Sequence, residues 1–493
     1  MSALLDVGPE PGRRVHPGVA GYPERRALAA EPLALGRIDI VEEFLDVPDL
    51  RVDVAIDHAE DDSPLDMGCS SEGVDWLGDW LTRRGLPGMA IAVTDRKEVV
   101  FLHTVGWAEL RKRAIDEDTL FELGSIGKTY TALLAVDLLD VQAPVTEYLP
   151  WFEVRSAYDP IRIEHLLMHS AGLIRGQEIT ADSRFDIWAL RETEVAFAPG
   201  ERHYYSNVGY RTLGYVLEAA TGESYRDLLT SRILEPLGLA QTEPDITVEV
   251  RGRMATGYDR LHDDRTPSPD DPLYPAAWLE TGTADGCLAA TAGDLAAFAR
   301  HLLGGPAEEL TSGRLLASGH GWNYGYGLER KGSLFGHGGS MPGFASSMLG
   351  DLDSGYAVAA LMNGPDEHNS TEVVARFVLD LHRGADPEPP GDPEPRPPDS
   401  PSAPELDEYA ALYGRYRSYN PWMPGFRVEQ RESGLTAQMA WGDDKPLDRV
   451  GEAEFRVGEE DWSPERLRFD AVVDGQALRA NLSGETYYRS DFE

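Results

Sequence analysis

The sequence predicts an α+β fold in which helices flank an antiparallel sheet, with an inserted helical lobe and a separate C-terminal antiparallel β-barrel domain. Two observations predict it. Strand patterns lie at both ends of residues 73–384 and enclose a mostly helical middle, at about 121–305, so both ends build one sheet. Residues 405–493 then read as short alternating strands with Gly and Asp at the turns.

A helix and a hairpin open the first domain. Val74, Leu77 and Leu81 recur at helical spacing, which predicts a helix with one apolar face. The apolar runs 89–93 and 99–102 flank a short polar stretch and predict two antiparallel strands. The sheet therefore begins close to residue 89.

The second half of the sheet follows the helical middle. Strand patterns recur near 334–335, 344–349 and 356–362. An amphipathic helix comes next, with an apolar face made of Val373, Val374, Phe377, Val378 and Leu381. We expect a functional site in the cleft between the sheet and the helical lobe.

Composition divides the rest of the chain. Residues 1–72 form an N-terminal extension of unknown role. Residues 385–404 contain nine prolines among Asp and Glu, which is typical of a semi-rigid acidic linker. Residues 405–493 form the small β domain, and alternation by itself fits a barrel or a sandwich.

The chain is strongly acidic, since 85 Asp and Glu against 45 Lys and Arg give a formal charge of −40. This balance excludes nucleic acids and anionic membrane surfaces as partners, because both require clustered Lys and Arg. Acid enrichment with only five lysines is typical of a protein kept soluble in a high-salt cytoplasm, which is a hypothesis about habitat. Loss of the fold when salt is removed would support it, and full activity at low salt would contradict it.

Cysteine usage and hydropathy predict a soluble cytoplasmic protein. Cys69 and Cys287 are too few for a disulfide framework in a chain of 493 residues. No run of 18 or more apolar residues is present, and arginines interrupt the N-terminus before a signal peptide could form.

The first candidate catalytic group is Ser125 with Lys128. A serine hydroxyl is a weak nucleophile that needs a nearby base, and residues three apart on a helix share one face. A desolvated lysine, or one held beside other cations, can be partly neutral and accept the proton. The alternative is coincidence, because a Ser three residues before a Lys is a short pattern.

The second group is Tyr205 with Asn207. A tyrosine hydroxyl can move protons where a neighbouring cation lowers its pKa. Asn207 can hold either the lysine or a substrate carbonyl. The alternative is a loop aromatic that caps the helix predicted to follow.

The third group is rich in glycine and contains His337, Gly339 and Ser340. Glycines beside a strand let a substrate backbone approach closely. A backbone N–H here can pair with that of Ser125 to form an oxyanion hole. The alternative is a Gly-rich turn with a solvated histidine.

The order of these groups, Ser-x-x-Lys, Tyr-x-Asn and His-x-Gly, resembles the serine β-lactamase and penicillin-binding-protein superfamily. It is most similar to the class C-like hydrolases: class C β-lactamases, D-aminopeptidases, D-alanyl-D-alanine carboxypeptidases and esterases. Residues 165–173, His-Leu-Leu-Met-His-Ser-Ala-Gly-Leu, match the family pattern as well. Further matching segments are 118–121, 143–150, 235–239 and 291–295, so the resemblance covers about 73–383.

The resemblance implies a role for each candidate residue. Ser125 is the acylated nucleophile and Lys128 is its base. Tyr205 relays protons to the leaving group and later activates water. Asn207 lies near the lysine and the substrate, and the backbone N–H groups of Ser125 and Ser340 form the oxyanion hole.

Two features depart from the family pattern. His337 stands where lactamases have the lysine of a Lys-Thr-Gly motif, and histidine is mostly neutral near pH 7, whereas that lysine grips a substrate carboxylate. The substitution favours esters or peptides over efficient β-lactam hydrolysis. The chain between Lys128 and Ala143 is also short, as if two helical turns near 136–141 were missing, which puts the packing of the serine helix in question.

We therefore predict a serine hydrolase that forms an acyl-enzyme on esters or on peptides and amides containing D-amino acids, with weak β-lactamase activity possible. The alternative is a catalytically idle relative that binds peptidoglycan-like or acyl ligands. Neither a cofactor nor a metal is expected, and the sequence leaves the oligomeric state open.

Two remaining motifs are assigned by the resemblance. His165 and His169 have the i, i+4 spacing of a zinc site on a helix, but the family pattern makes them packing residues. The C-terminal domain resembles the lipocalin-like barrel that serves as an accessory domain in several such hydrolases. The alternative is a barrel whose aromatic residues form only its core.

Overall fold

The computed structural model contains a nine-stranded antiparallel sheet and a separate closed barrel of eight strands. All described residues belong to one unit, Arg51–Glu493. The described residues are 74–176, 183–260, 268–313, 315–365, 369–391, 409–420, 423, 425–431, 434–439 and 444–490. The predicted extension 1–72 and most of the predicted linker 385–404 lie outside these ranges.

In the described part of the chain, fourteen strands precede the barrel. They are β1 (Gly88–Thr94), β2 (Val99–Glu109), β3 (Arg113–Ala114), β4 (Phe121–Glu122), β5 (Thr242–Glu243), β6 (Tyr258–Arg260), β7 (Leu273–Pro275), β8 (Ala289–Ala290), β9 (Leu316–Gly319), β10 (Trp322–Tyr324), β11 (Glu329–Lys331), β12 (Leu334–Met341), β13 (Phe344–Asp351) and β14 (Tyr356–Met362). The large sheet has the order β3-β2-β1-β14-β13-β12-β11-β10-β9.

Strands from the two ends of residues 73–384 pair with each other in this sheet. Strand β1 pairs with β14, so that Met89 lies opposite Met362, and the hairpin of β1 and β2 is antiparallel as predicted. Two small sheets, β4-β8-β5 and β6-β7, lie outside it. The prediction of one sheet built from both ends is therefore confirmed.

The described residues form twelve α-helices. They are α1 (Trp76–Arg83), α2 (Gly127–Leu138), α3 (Val145–Tyr148), α4 (Ile163–Leu167), α5 (Ser183–Ala189), α6 (Asn207–Thr221), α7 (Tyr225–Leu229), α8 (Glu235–Leu237), α9 (Val248–Arg251), α10 (Ala292–Leu303), α11 (Pro306–Thr311) and α12 (Ser370–His382). A π-helical turn, Thr230–Leu234, joins α7 to α8.

Strand β1 shows why the sheet needs helices on both faces. Ala90 and Ala92 contact one apolar core, which the helical lobe also lines. Met89, Ile91 and Val93 point the other way, into a second core shared with α1 and α12. Since successive side chains face opposite sides of a sheet, every residue of β1 is buried.

The helix that follows the serine is complete despite the short segment after it. Helix α2 has 12 residues and ends at Leu138, and a 3₁₀ turn, Gly124–Ile126, leads into it. The ring of Tyr130 stacks on Phe298 of α10 with 3.6 Å between the centroids. Helix α2 therefore packs against α10 through Tyr130.

The C-terminal strands close into a barrel, which decides between the barrel and the sandwich. The strands are β15 (Gly414–Ser418), β16 (Phe426–Arg431), β17 (Gly434–Met439), β18 (Asp444–Arg449), β19 (Glu454–Val457), β20 (Arg466–Val473), β21 (Gln476–Leu482) and β22 (Glu485–Arg489). Alternate residues of β16, Phe426 and Val428, point into the barrel core. Among the described residues, no helix is long and apolar enough to cross a membrane.

Candidate active site

Ser125 and Lys128 lie together where the 3₁₀ turn enters α2. The Nζ atom of Lys128 is 2.9 Å from the Oγ atom of Ser125. Lys128 is completely buried, whereas Ser125 is partly exposed. The spacing of three residues thus produces the contact that a serine nucleophile needs with a base.

The surroundings of Lys128 hold its amine toward the serine. Its Nζ also donates to the backbone carbonyl of Asp285. It lies 5.0 Å from the ring centroid of Tyr205 and 5.8 Å from that of Tyr210. No carboxylate oxygen of the described residues lies within 4.0 Å of this amine.

Tyr205 of the second motif is preceded by a second tyrosine, Tyr204, and the two side chains make different contacts. The hydroxyl of Tyr204 donates to Glu465 of the barrel domain at 3.1 Å, and burial raises its pKa. Tyr205 instead faces Lys128 through its ring. The Tyr-x-Asn spacing selects Tyr205, and this is the tyrosine that lies near the candidate base.

Asn207 is the first residue of α6. The side chain of Ser206 caps this helix by accepting from the N–H of Gly209 at 3.2 Å. The side chain of Asn207 makes no hydrogen bond to Lys128, and its Oδ1 is buried without a partner among the described residues. This Oδ1 can therefore accept a hydrogen bond from a substrate N–H.

Strand β12 brings the third motif against the serine turn. The hydroxyl of Ser346 donates to the carbonyl of Leu123 at 2.7 Å, and Gly339 packs against the same carbonyl. Gly124 has a φ of +52°, and a Cβ on it would lie 2.9 Å from the backbone nitrogen of Ser340. The backbone of Ser340 thus lies directly beside the turn that carries Ser125.

Replacing Gly339 with alanine is expected to displace this turn. The new Cβ would fall inside van der Waals contact of the Leu123 carbonyl and the Ser346 hydroxyl. We expect a loss of about 1–3 kcal/mol in the free energy of unfolding and at least a tenfold loss of kcat/KM. Urea denaturation and ester hydrolysis would measure them.

Gly338→Ala is the matched control, because Gly338 is exposed and the nearest atom to a Cβ there is 3.8 Å away. Equal losses in both variants would contradict the role given to Gly339.

His337 is buried beneath the site as a neutral ring. Its Nε2 lies 2.8 Å from the hydroxyl of Tyr324, and its Nδ1 lies 2.6 Å from the carbonyl of Gly338. A carbonyl only accepts, so Nδ1 donates and Nε2 accepts from Tyr324. Burial, with a smaller effect of the Lys128 charge, lowers the pKa of His337 to about 4. The neutral histidine predicted at this position agrees with its surroundings.

The stability of the protein is expected to depend on His337 below neutral pH. The folded-state pKa of about 4 is below the ordinary value of 6.5, so the unfolded chain binds more protons between these values. The stability present above pH 6.5 is therefore lost as the pH falls toward 4. Between pH 7 and 5, wild type should lose about 2 kcal/mol more than His337→Gln in urea denaturation.

Comparing wild type with His337→Gln cancels the contributions of other titrating groups, including those whose effect on stability is opposite to that of His337. Burial raises the pKa of Glu122 to about 7, so the folded protein holds a proton there that the unfolded chain has released. The contribution of Glu122 to stability therefore increases as the pH falls. Parallel pH profiles for wild type and His337→Gln would contradict the prediction.

Several residues near Tyr205 were not predicted as part of the site. The ring centroid of His169 lies 4.1 Å from that of Tyr205 and 4.8 Å from that of Tyr324. His169 Nδ1 accepts from the N–H of Ser206 at 3.0 Å, and burial holds its pKa well below the ordinary value. His203 packs against the same group, 5.2 Å from Tyr324.

The helical spacing inferred for His165 and His169 was wrong. Helix α4 ends at Leu167, and His169 has a φ of +53°, outside the helix. The two rings therefore do not share a helix face. Within the described ranges, no group of three His, Cys, Asp or Glu side chains is arranged to hold a metal ion.

A buried ion-pair cluster lies behind Lys128. Nη1 of Arg211 is 3.0 Å from Asp186 and its Nε is 3.1 Å from Asp285, whose carbonyl holds Lys128. Burial raises the pKa of the Asp285 carboxyl, but the charges of Arg211 and Lys128 outweigh it, so the net pKa lies below its ordinary value. Arg211 and Asp285 were missed because nothing in their local sequence marks them.

The barrel domain contacts the site through the segment between β19 and β20. Glu465 accepts from the backbone N–H of Arg175 at 2.7 Å as well as from Tyr204. The ring of Trp462 lies edge-on to Phe197, with centroids 5.2 Å apart. The barrel therefore supports the loop that precedes Tyr205.

Comparisons with known proteins agree with this geometry. A family model described as Beta-lactamase matches residues 59–383. Penicillin-binding protein 4 of Amycolatopsis lactamdurans is 29% identical over 342 residues, which are 61% of this chain and 85% of that protein.

Two solved structures show that the fold is shared. An octameric penicillin-binding protein homologue from Pyrococcus abyssi has a TM-score of 0.55 at 22% identity, covering 85% of this chain and 99% of its own. A D-stereospecific amidohydrolase from Streptomyces sp. has a TM-score of 0.51 at 23% identity, covering 63% of this chain and 98% of its own. The family match spans well over half of the sequence and includes all three candidate motifs. The chain therefore belongs to the beta-lactamase family.

Proposed function

We propose that the protein is a class C-like serine hydrolase that forms an acyl-enzyme at Ser125. Its substrates are esters, or peptides and amides that contain D-amino acids, with weak β-lactam hydrolysis as a side activity. The observation that carries the proposal is the 2.9 Å contact between Lys128 Nζ and Ser125 Oγ at a partly exposed position. Neither residue's side chain is engaged by a carboxylate of the described residues, which leaves the pair available for proton transfer.

Acylation uses the amine of Lys128 as the base. The Oγ of Ser125 bonds to the carbonyl carbon of the substrate while its proton passes to Nζ. The hydrogen bond that Nζ donates to the Asp285 carbonyl holds the nitrogen beside the serine hydroxyl. The bond to the alcohol or amine then breaks, and that leaving group takes a proton.

Tyr205 is the proposed route for that proton. Its ring centroid lies 5.0 Å from Lys128 Nζ, which makes Tyr205 a neighbour of the base. In deacylation, water attacks the acyl carbon and gives a proton to this group. The bond between that carbon and Ser125 Oγ then breaks, and Oγ takes this proton back through Lys128, which restores the Ser125 hydroxyl. The net reaction consumes one water for each ester or amide bond.

Backbone N–H groups of Ser125 and Ser340 are the proposed oxyanion hole. The close packing of Ser340 against Gly124 supports this assignment. Backbone N–H groups are held in place by the fold, so they can stabilise the negative charge that develops on the carbonyl oxygen of the substrate. The unfilled Oδ1 of Asn207 would accept from a substrate N–H, which amides and peptides offer.

The substrate class rests on two further observations. The neutral His337 cannot supply the fixed positive charge of a lysine at that position, which favours esters and peptides over β-lactams. The shared fold with a D-stereospecific amidohydrolase supports including amides of D-amino acids. Hydrolysis of p-nitrophenyl esters compared with D-amino-acid p-nitroanilides would distinguish these substrates.

Covalent labelling tests the proposal. A fluorescent fluorophosphonate and a fluorescent penicillin should each label wild type, and peptide mapping should locate the label at Ser125. Ser125→Ala should lose both labels, whereas Ser340→Ala should keep them because only the backbone of Ser340 is invoked. Wild type that binds the penicillin reversibly but never becomes labelled would favour the idle, ligand-binding alternative.

A further inference from the structure

Arg175 brings an exposed guanidinium to the candidate active site. Its Cζ lies 5.6 Å from the ring centroid of Tyr205, the ring that Lys128 also approaches. Arg175 follows the His-Leu-Leu-Met-His-Ser-Ala-Gly-Leu segment and was not selected by any sequence motif. The proposed acyl-enzyme mechanism gives it no task.

The guanidinium of Arg175 has no carboxylate partner among the described residues, in a chain that carries 85 acidic residues. No carboxylate oxygen in the described part of the chain lies within 4.0 Å of it. Glu465 contacts Arg175, but through the backbone N–H, at 2.7 Å. By contrast, the neighbouring Arg202 is paired with Glu201 at 3.1 Å.

The backbone of Arg175 is fixed on both sides. Its N–H donates to Glu465 of the barrel, and its carbonyl accepts from the N–H of Asn207 at 2.7 Å. The residue is thus tied to the barrel domain and to the first turn of α6. A fixed backbone lowers the entropy cost of holding a ligand with the side chain.

The other cations close to the site are already engaged. Lys128 is buried and bonded to Ser125 and to the Asp285 carbonyl. Arg211 is buried between two carboxylates. His337 is a neutral ring bonded to Tyr324. Arg175 is therefore the cation of the described site that can meet a negatively charged ligand.

We infer that Arg175 binds a carboxylate group of the substrate and so selects anionic esters or peptides. This inference rests on the proposed serine hydrolase activity. The planar guanidinium matches a carboxylate with two parallel hydrogen bonds, a fit that a lysine ammonium does not reproduce. Arg175 lies on a different segment from His337, so we expect it to bind a carboxylate at a different point of the substrate than a lysine at position 337 would.

Matched substrate pairs test the inference. On the acyl side, the mono-p-nitrophenyl ester of glutaric acid is compared with its methyl-capped form. On the leaving-group side, N-acetyl-D-alanyl-D-alanine is compared with its C-terminal amide. For at least one pair, wild type should prefer the anionic member, and Arg175→Gln should lower the ratio of kcat/KM values by about tenfold or more, mainly through KM.

Two further variants make the result specific. Arg175→Lys should retain part of the preference, because it keeps the charge but loses the planar fork. Arg202→Gln, at a nearby exposed arginine that lies 5.5 Å over Trp462, should leave the ratio unchanged.

The outcomes separate the two proposals. Hydrolysis of the neutral ester with the same ratio in wild type and Arg175→Gln would overturn the role of Arg175 alone. That role is likewise overturned if wild type prefers neither anionic substrate. If wild type hydrolyses none of the four compounds and is not labelled at Ser125, the serine hydrolase proposal itself fails, and this inference with it.

Discussion

Lys128→Met is expected to lower kcat for ester hydrolysis by at least a thousandfold while the protein stays folded. The amine 2.9 Å from Ser125 Oγ would be lost, and with it the base that activates the serine. Methionine is similar in length and apolar, so it fits a position that is completely buried. Stopped-flow or steady-state hydrolysis of p-nitrophenyl acetate measures the loss, and circular dichroism checks the fold.

Lys128→Arg separates the basic role of this residue from its charge. Arginine keeps a positive charge but does not release its proton in proteins, so it cannot accept the proton of Ser125. We expect this variant to be as inactive as Lys128→Met. Lys112→Met is the matched control, since Lys112 is exposed and paired with Glu109 on the surface. Activity within tenfold of wild type in either Lys128 variant would contradict the assignment.

The contact of Ser125 with Lys128 could be predicted because it is local. Three residues separate the two side chains, and the turn of a helix brings such pairs together whatever the rest of the fold does. The strands β1 and β14 were predicted for a related reason. Each is a short apolar run bounded by polar residues, and a strand covered on both faces reads in this way.

The surroundings of that pair could not be predicted, because they depend on distant segments. Arg211 and Asp285 are 74 residues apart, and Glu465 is 290 residues from Arg175. No periodicity connects such positions. The error at His169 has a local cause, since the chain leaves the helix at Leu167 and turns through a positive φ that the His-x-x-x-His spacing does not reveal.

The choice between Tyr204 and Tyr205 shows how sequence spacing and tertiary contacts combine. The Tyr-x-Asn spacing selected Tyr205, yet nothing in the sequence explained why a second tyrosine precedes it. The contact of Tyr204 with Glu465 explains it, because this hydroxyl joins the catalytic domain to the barrel. The barrel therefore has a structural connection to the site that its own alternating pattern did not reveal.

Arg211→Met is expected to lower the free energy of unfolding by about 3–5 kcal/mol near pH 7. The side chain is only 2% exposed and lies 3.0 Å from Asp186 and 3.1 Å from Asp285. Its removal takes away the positive charge that is bonded to both carboxylates, so the desolvation cost of these buried charges is no longer fully offset. Urea denaturation followed by fluorescence measures the loss.

The pH dependence of this loss tests its electrostatic origin. Without Arg211, burial of the Asp285 carboxyl is offset by less positive charge, so its pKa rises relative to wild type and protonation relieves the buried charge as the pH falls. The deficit of Arg211→Met relative to wild type should therefore be largest at neutral pH and shrink toward pH 5. A deficit that is constant with pH would indicate lost packing instead.

Two companion variants separate the buried charges from general effects of removing an arginine. Combining Arg211→Met with Asp186→Asn and Asp285→Asn removes the cluster of three charges and should recover much of the stability, because the two carboxylates that Arg211 paired with are no longer charged. Arg376→Met breaks the exposed pair with Glu372 on α12 and should cost about 0.5 kcal/mol or less. If the triple variant is no more stable than Arg211→Met, the cluster stabilises the fold through shape alone. If it is stable but inactive, the charge of Asp285 is needed beside Lys128, because the backbone carbonyl that holds the base would be retained.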